Sequence, residues 1–397
     1  MKIVPLQSLA SKVSQSAGEN KYPVLSITAG VGFVKQTEKF GKEIAGAQYV
    51  HYTVLKKGDF SYNKGNSKTC PQGCIYRQDD EEYAAVPNVF NSFRFTSPDC
   101  ETTYYKYLFE SGYLNRQLCR LINYGVRNDG LLNIYDEDFY GCKVPCPPLE
   151  EQKRIAEILE CCDKVIRLKR ELIEEKKNQK KSLMQKLLDP NSGFRLPGFN
   201  GEWDIVTLRD VCLSNGQYGM NAPAVFGQPD LPMYMRITDI SDKEKYVNAD
   251  DARVQTTECD KYLLHENDVV FVRTGGTVGK KYFYSLSDGK LVFAGFLIRF
   301  SIDKTKINVS FLKSVLNTSK YWKWVATMSQ RSGQPGINAE EYGAYSFPIP
   351  TLNEQKEIGK ILSTADHELD LLEQDLTQWE QKKKSLMQLL FMGKVKV

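Results

Sequence analysis

The chain has 397 residues, a formal net charge of +4, 41% hydrophobic and 26% charged residues. Its length exceeds one ordinary core and predicts two globular units, and its mild basicity leaves room for a nucleic-acid partner gripped by local patches or with help from other subunits. No apolar run of about 18 residues is present, which excludes a membrane-spanning helix. The N-terminal MKIVPLQSLASKVSQS lacks the apolar core of a secretory signal. Ten cysteines without an export signal read as free thiols of a cytoplasmic protein.

In chain order, residues 1–146 form a first variable block. It mixes short β-rich runs with an amphipathic helix expected over YYKYLFESGYLNRQLCRLI (Tyr104–Ile122). Two polar, glycine-bearing loops stand out, SYNKGNSK (Ser61–Lys68) and NYGVRNDGLLN (Asn123–Asn133). The pairs Cys70/Cys74 and Cys142/Cys146 have hook-like spacing, but they are far apart and the chain has three histidines, so they read as thiols rather than zinc ligands.

Residues 147–189 read as a long helix with a seven-residue apolar ladder, Leu159, Ile166, Ile173 and Leu187. A companion ladder, Ile155 and Cys162, turns polar at Lys169 and Lys176 and resumes at Leu183. Pro190 and Gly193 stop the helix, and 190–203 is a Pro/Gly-rich linker. The second block, 204–347, has strands expected at Val269–Thr274, Lys281–Leu286 and Phe293–Phe300, and a helix over Ser310–Met328. Its conspicuous loops are RTGGTVGKK (Arg273–Lys281) and QRSGQPGIN (Gln330–Asn338). Residues 348–397 hold a second helix whose ladders are Ile358, Ala365, Leu372, Trp379, Leu386 and Leu362, Leu369, Leu376, with Lys383 interrupting before Leu390.

The two helices are copies. Aligning Pro147–Leu188 with Pro350–Phe391 gives 17 identities in 42 positions, against roughly two or three expected by chance. Glu151/Glu354, Gln152/Gln355, Asp163/Asp366 and the run KKSLMQ (Lys180–Gln185 and Lys383–Gln388) recur at an offset of 203. Fainter echoes, KIVPL with DIVTL and YPVLSIT with LPMYMRIT, extend the repeat into the blocks. Two apolar seams of equal length in one chain are expected to bury each other, antiparallel if the halves obey a pseudo-two-fold. The fold class is therefore α+β: two variable blocks separated by two long antiparallel helices in a coiled coil.

No catalytic pattern accompanies this architecture. GGTVGK (Gly275–Lys280) lacks the spacing of a phosphate loop, no HExxH or GxSxG is present, and His51, His265 and His367 are scattered. The loops carry instead Arg, Lys, Asn and Gln, which bond phosphates and base edges, together with glycines that let backbone approach a phosphate.

The repeated P-x-L-x-EQ, the helix ending KKSLMQ, the linker GFRLPGFNGEWDIVTL, and NDVVFVRTGGTVGK with GQPGINAEEYGAYSFPIPTLNEQ resemble the specificity subunit of type I restriction–modification systems over essentially the whole chain. One departure is that Met1 aligns near Trp203, so the first domain starts without the linker that precedes the second. The resemblance implies target-recognition domains at 1–146 and 204–347, each reading half of a bipartite, asymmetric site in double-stranded DNA. It implies spacer helices at 147–189 and 348–397 that set the gap, so that whole-heptad insertions would change the gap but not the bases read. Two modification (methyltransferase) subunits would dock and methylate adenine, joined by restriction (translocase–nuclease) subunits. The chain itself would be non-catalytic and hold no cofactor; S-adenosylmethionine would sit on the modification subunits, ATP and Mg on the restriction subunits.

The expected DNA-binding residues are Lys64, Asn66, Lys68, Arg127 and Asn128 in the first block. In the second they are Arg273, Thr274, Thr277, Lys280, Arg331, Gln334 and Asn338. The repeated Glu151, Gln152, Lys181, Met184, Glu354, Gln355, Lys384 and Met387 have two readings, helix capping and packing or docking of two modification subunits, and both stay open. The rivals are a coiled-coil adaptor with two protein-binding heads, which would show no salt-dependent DNA affinity, and a divergent methyltransferase, which would bind S-adenosylmethionine alone.

Overall fold

The computed structural model describes residues 2–65, 70–122, 132–330, 333–395 and 397. Two units emerge, each discontinuous in sequence: Met1–Arg170 with Gln374–Val397, and Glu171–Glu373. Among the described residues no helix is long and apolar enough to cross a membrane.

The first unit contains β1 (Lys2–Pro5), β2 (Ala10–Lys12), β3 (Phe60–Asn63), β4 (Cys74–Arg77), β5 (Asn91–Phe95), α1 (Thr102–Glu110) and β6 (Lys143–Cys146), then the first part of α2 (Leu149–Leu187). Its main sheet is antiparallel in the order β2-β5-β3-β4, and β1 pairs with β6 just before α2 begins. Further pairs join Leu25–Thr28 to Gly32–Lys35 and Thr53–Lys56 to Tyr83–Val86.

The second unit repeats this plan. It contains β7 (Asp204–Thr207), β8 (Gln217–Tyr218), β9 (Asp268–Val272), β10 (Lys281–Phe283), β11 (Leu297–Ser301), α3 (Val309–Val315), α4 (Ser319–Met328), α5 (Ala339–Gly343), β12 (Ser346–Ile349) and the first part of α6 (Leu352–Phe391). The sheet order β8-β11-β9-β10 is again first, last, second, third, all antiparallel, and β7 pairs with β12 immediately before α6.

Each core takes in two helix ends. Phe60, Tyr62, Phe93, Tyr104 and Leu108 pack with Ile155 and Leu159 of α2 and with Met387, Leu390 and Phe391 of α6. In the second unit, Phe271, Phe300, Phe311, Tyr321 and Tyr342 pack with Ile358 and Leu362 of α6 and with Leu187 and Leu188 of α2. Ile155/Ile358, Leu159/Leu362 and Leu187/Leu390 are repeat positions, so the duplicated apolar residues do the same burial twice, the main driving force for holding a helix to its block.

The helices run antiparallel within both units. Asp163 meets Lys383 and Lys169 meets Asp375, each at 2.5 Å, in the first; Lys176 meets Glu368 at 2.6 Å and Lys180 meets Asp366 in the second. The lysines that interrupt the ladders are thus ion-paired to the opposite helix. Leu159, Ile166, Ile173, Ile358 and Leu362 are buried, whereas Ala365, Leu369, Leu372, Leu376 and Trp379 are half-buried. Leu183 is exposed rather than resuming the ladder, and its neighbour Met184 packs against the second core instead.

The two expected amphipathic helices are each broken. Over 104–122, α1 ends and Asn115–Leu121 begins anew, because Gly112 takes φ +75°. Over 310–328, α3 ends and Thr318 caps α4, its hydroxyl accepting from Tyr321 N. Gly359 of α6 lies against the start of α3: a β-carbon there would sit 2.6 Å from Asn308 Oδ1 and 3.1 Å from Phe311 N. All ten cysteines are free, and among the described residues no cluster of His, Cys, Asp or Glu could hold a metal ion.

Candidate nucleic-acid interface and docking positions

In the second unit the two loops singled out in the sequence converge. Thr274 bridges Gly336, Gly275 N donates to Pro335 O at 3.0 Å, and Ile337 N donates to Arg273 O at 2.8 Å. The loop 273–280 closes on itself, since Gly279 N donates to Val272 O and Val272 N to Lys280 O. Two buried tyrosines hold it from beneath: Tyr342 Oη accepts from Gly279 N and donates to Val272 O, and Tyr321 Oη donates to Gly279 O. Gly279 has φ +87°, and a β-carbon would fall 2.5 Å from Val325 Cγ1, so glycine is required.

This joint surface presents half-buried Arg273, Thr274 and Thr277 with exposed Gln334. Lys280 is paired with Asp242 at 2.6 Å, and the lysine holds that carboxyl below its ordinary range. Asn338 is exposed but its Oδ1 accepts from Glu341 N while Glu341 returns a bond to Asn338 N, a reciprocal cap on α5. Arg331 lies outside the described residues. Beneath the loop, Lys281 is 0% exposed, with Nζ 2.7 Å from both Glu244 Oε1 and Asn317 Oδ1 and above the rings of Tyr321 and Trp322. Burial pushes its ammonium down to about 8, against the pull of Glu244. The turn 241–245 is tied on its other side to α6 by Lys243–Glu373 and by Lys245–Asp370 at 2.8 Å.

In the first unit, Lys64 borders a polar cleft of about 330 Å³ lined also by Lys12, His51, Asn88, Asn91 and Asp136. Its Nζ lies 3.7 Å from Asp136 Oδ1. Burial opposes ionisation of Asp136, but Lys12 and Lys64 outweigh it and hold the carboxyl below its ordinary range. Asn66, Lys68, Arg127 and Asn128 lie outside the described residues. Lys12, His51 and Tyr218 were not anticipated as site residues; they carry no local motif, Lys12 and Tyr218 being brought in by strand pairing and His51 by the short helix Gly46–His51.

The repeated docking candidates divide sharply. Gln152 is 0% exposed; its Oε1 accepts from Glu101 N, and its Nε2 donates to Asp99 O and Pro147 O. Gln355 is 1% exposed and makes the matching bonds with Asn308 N, Lys306 O and Pro350 O. Glu101 and Asn308 are the residues that cap α1 and α3, so each glutamine fastens a long helix to the cap of a block helix. Glu354 is buried in a two-pronged pair with Arg195 of the linker, whereas Glu151 is half-buried. Met387 is buried and Met184 half-buried, each against its own core. Gln152, Gln355, Glu354, Met184 and Met387 thus make packing contacts within their own units, and Lys181 and Lys384 are the exposed members of the set.

A family model described as "Type I restriction modification DNA specificity domain" matches residues 9–178 and 200–381. The chain is 24% identical over 291 residues to the type I restriction enzyme MjaVIII specificity subunit of Methanocaldococcus jannaschii, covering 68% of this chain and 66% of that protein. It is 25% identical over 244 residues to the type I restriction enzyme StySPI specificity subunit of Salmonella potsdam, covering 57% and 51%. The chain spans less than two thirds of the length of either relative. Its fold is similar to a chain from a structure described as the basis of complex assembly and conformational transition of the type I R-M system, with TM-score 0.62, 17% identity and 98% and 97% coverage. It is also similar to the S subunit of a type I restriction-modification system from M. genitalium, with TM-score 0.57, 16% identity and 98% and 96% coverage.

Proposed function

We propose, from the premise that this chain belongs to the type I restriction-modification DNA specificity family, that it is the DNA-reading subunit of such a system. Each block reads one half of a bipartite, asymmetric site in double-stranded DNA, and α2 and α6 set the gap. Modification subunits, using S-adenosylmethionine, methylate adenine; restriction subunits, using ATP and Mg, join them. The chain supplies recognition and no catalysis.

The observation that carries this reading is the contrast between frame and loops. Sheet order, glutamine fastening and helix ends recur in both units, while the loops on the frames differ in sequence. That is the arrangement expected of two readers of different words. Lys181 and Lys384, exposed at repeat positions, are proposed as points where two copies of one modification subunit touch α2 and α6.

The test is single-molecule methylation sequencing of genomic DNA from cells making this chain with its modification subunit. The expected result is one split motif with methyl-adenine in both halves, lost when the chain is deleted. A complex that assembles and binds DNA in no salt-dependent manner would overturn the reading.

A further inference from the structure

The second unit holds six described arginines. Arg195, Arg209, Arg236, Arg253 and Arg299 each face a carboxylate: Glu354, Glu340, Asp239 with Asp250, Asp251 and Asp268 respectively. Arg273 alone among them has no acid within ion-pair range. Its guanidinium carbon lies 4.8 Å above the ring of Tyr218.

The backbone of this arginine is fixed, and its guanidinium rests over one ring. Its backbone is clamped on both sides, N donating to Phe296 O at 3.0 Å and O accepting from Ile337 N at 2.8 Å. The tyrosine is in turn anchored, because its Oη accepts from Ala339 N at 3.2 Å, at the first turn of α5. Tyr218 nonetheless remains 41% exposed, so the cation–π pair lies at the surface of the joined loops. A guanidinium held over a ring face by cation–π attraction keeps the N–H donors turned away from the ring available. A preorganised fork loses little freedom when it binds, and its geometry matches the O6 and N7 acceptors of guanine.

We infer that Arg273, held in place by Tyr218, is a base-reading residue of the second unit and that the half-site it reads contains a guanine at a fixed position. This rests on the DNA-reading role proposed above. Arg273 touches the base; Tyr218 is a positioning residue acting through it. Lys280, neutralised by Asp242, is by contrast a contributor to backbone affinity at most.

The experiment uses the full chain assembled with its modification subunit, methylating a plasmid library in which each position of both half-sites is varied in turn. Arg273→Ala is expected to lower discrimination at one guanine roughly 5- to 150-fold, with the other half-site read as before. Tyr218→Leu relaxes the same position and Tyr218→Phe, which keeps the ring, restores it. A uniform loss across all sequences with a shallower salt dependence would make Arg273 a phosphate contact and overturn the inference. Unchanged discrimination by Arg273→Ala would overturn it as well. Failure of the unsubstituted complex to select any motif would instead sink the DNA-reading role itself.

Discussion

Gln152 and Gln355, 203 positions apart, make the same three hydrogen bonds in their respective units. Each accepts from the N–H of a helix-capping residue and donates to the carbonyl two residues before it and to a proline carbonyl preceding the long helix. Replacing either by leucine leaves one donor and two acceptors without their partners, the proline carbonyl among them in a buried setting. Gln152→Leu and Gln355→Leu are each expected to destabilise by about 2–4 kcal/mol, read by urea denaturation of the full chain. A loss under about 0.5 kcal/mol, the scatter of ordinary surface changes, would show that the fastening is incidental.

The Asp/Lys pairs test the antiparallel pairing of the helices within each unit directly. Asp163–Lys383 and Lys180–Asp366 are one contact made twice. Arg170–Glu380 and Lys177–Glu373 also occupy equivalent positions, with the charges exchanged. Asp366→Lys is expected to cost about 1 kcal/mol, because the pair is only partly buried, and adding Lys180→Asp should recover most of that. Denaturant midpoints at low and high salt measure both; equal losses in the single and double variants would refute the pairing.

Gly279→Ala forces a β-carbon into a positive-φ position against Val325. We expect a destabilisation of about 2–3 kcal/mol, with relaxed discrimination confined to the half-site read by the second unit. Thermal unfolding combined with motif sequencing separates the two effects, and an unaltered motif would show that loop geometry does not govern reading.

Lys281 gives a pH signature. Its folded value of about 8 lies below the ordinary 10.5, so between those values the unfolded chain holds a proton that the folded chain has released. Stability from this group therefore rises with pH through the window. Relative to Lys281→Met, the unsubstituted protein should gain on the order of 1–2 kcal/mol between pH 7.5 and 9.5. Parallel stability profiles would show that the buried ammonium retains its ordinary affinity for protons.

Asp242→Asn removes the partner of Lys280. Affinity for DNA of any sequence should increase, and the slope of log affinity against log salt should steepen by up to about one unit. An unchanged slope would mean that Lys280 stays clear of the phosphates.

Legibility followed periodicity. Leu159, Ile166, Ile173, Ile358 and Leu362 stand out because a buried helix face repeats every three to four residues, and these are the residues that the cores and the seam bury. Lys169, Lys176, Lys180 and Lys383 look like gaps in that pattern because their acids lie on a helix some 200 positions away. The break at Leu316–Thr318 was hidden inside an apolar run that continues in phase on either side. The arginine–tyrosine pair was equally silent: Tyr218 and Arg273 are joined by the pairing of β8 with β11 and by the junction of two loops, neither of which leaves a local mark.

Gly359 and its counterpart Ala156 mark where the two copies have ceased to be spare parts for one another. The first half carries a methyl group that is buried; in the second, the same methyl would strike Asn308. A hybrid that grafts the opening turns of α2 behind the second block would inherit that collision, whereas the reciprocal graft would lose only a methyl. One hydrogen-for-methyl difference thus makes exchange between the halves unequal in its two directions, at a point away from the proposed reading loops.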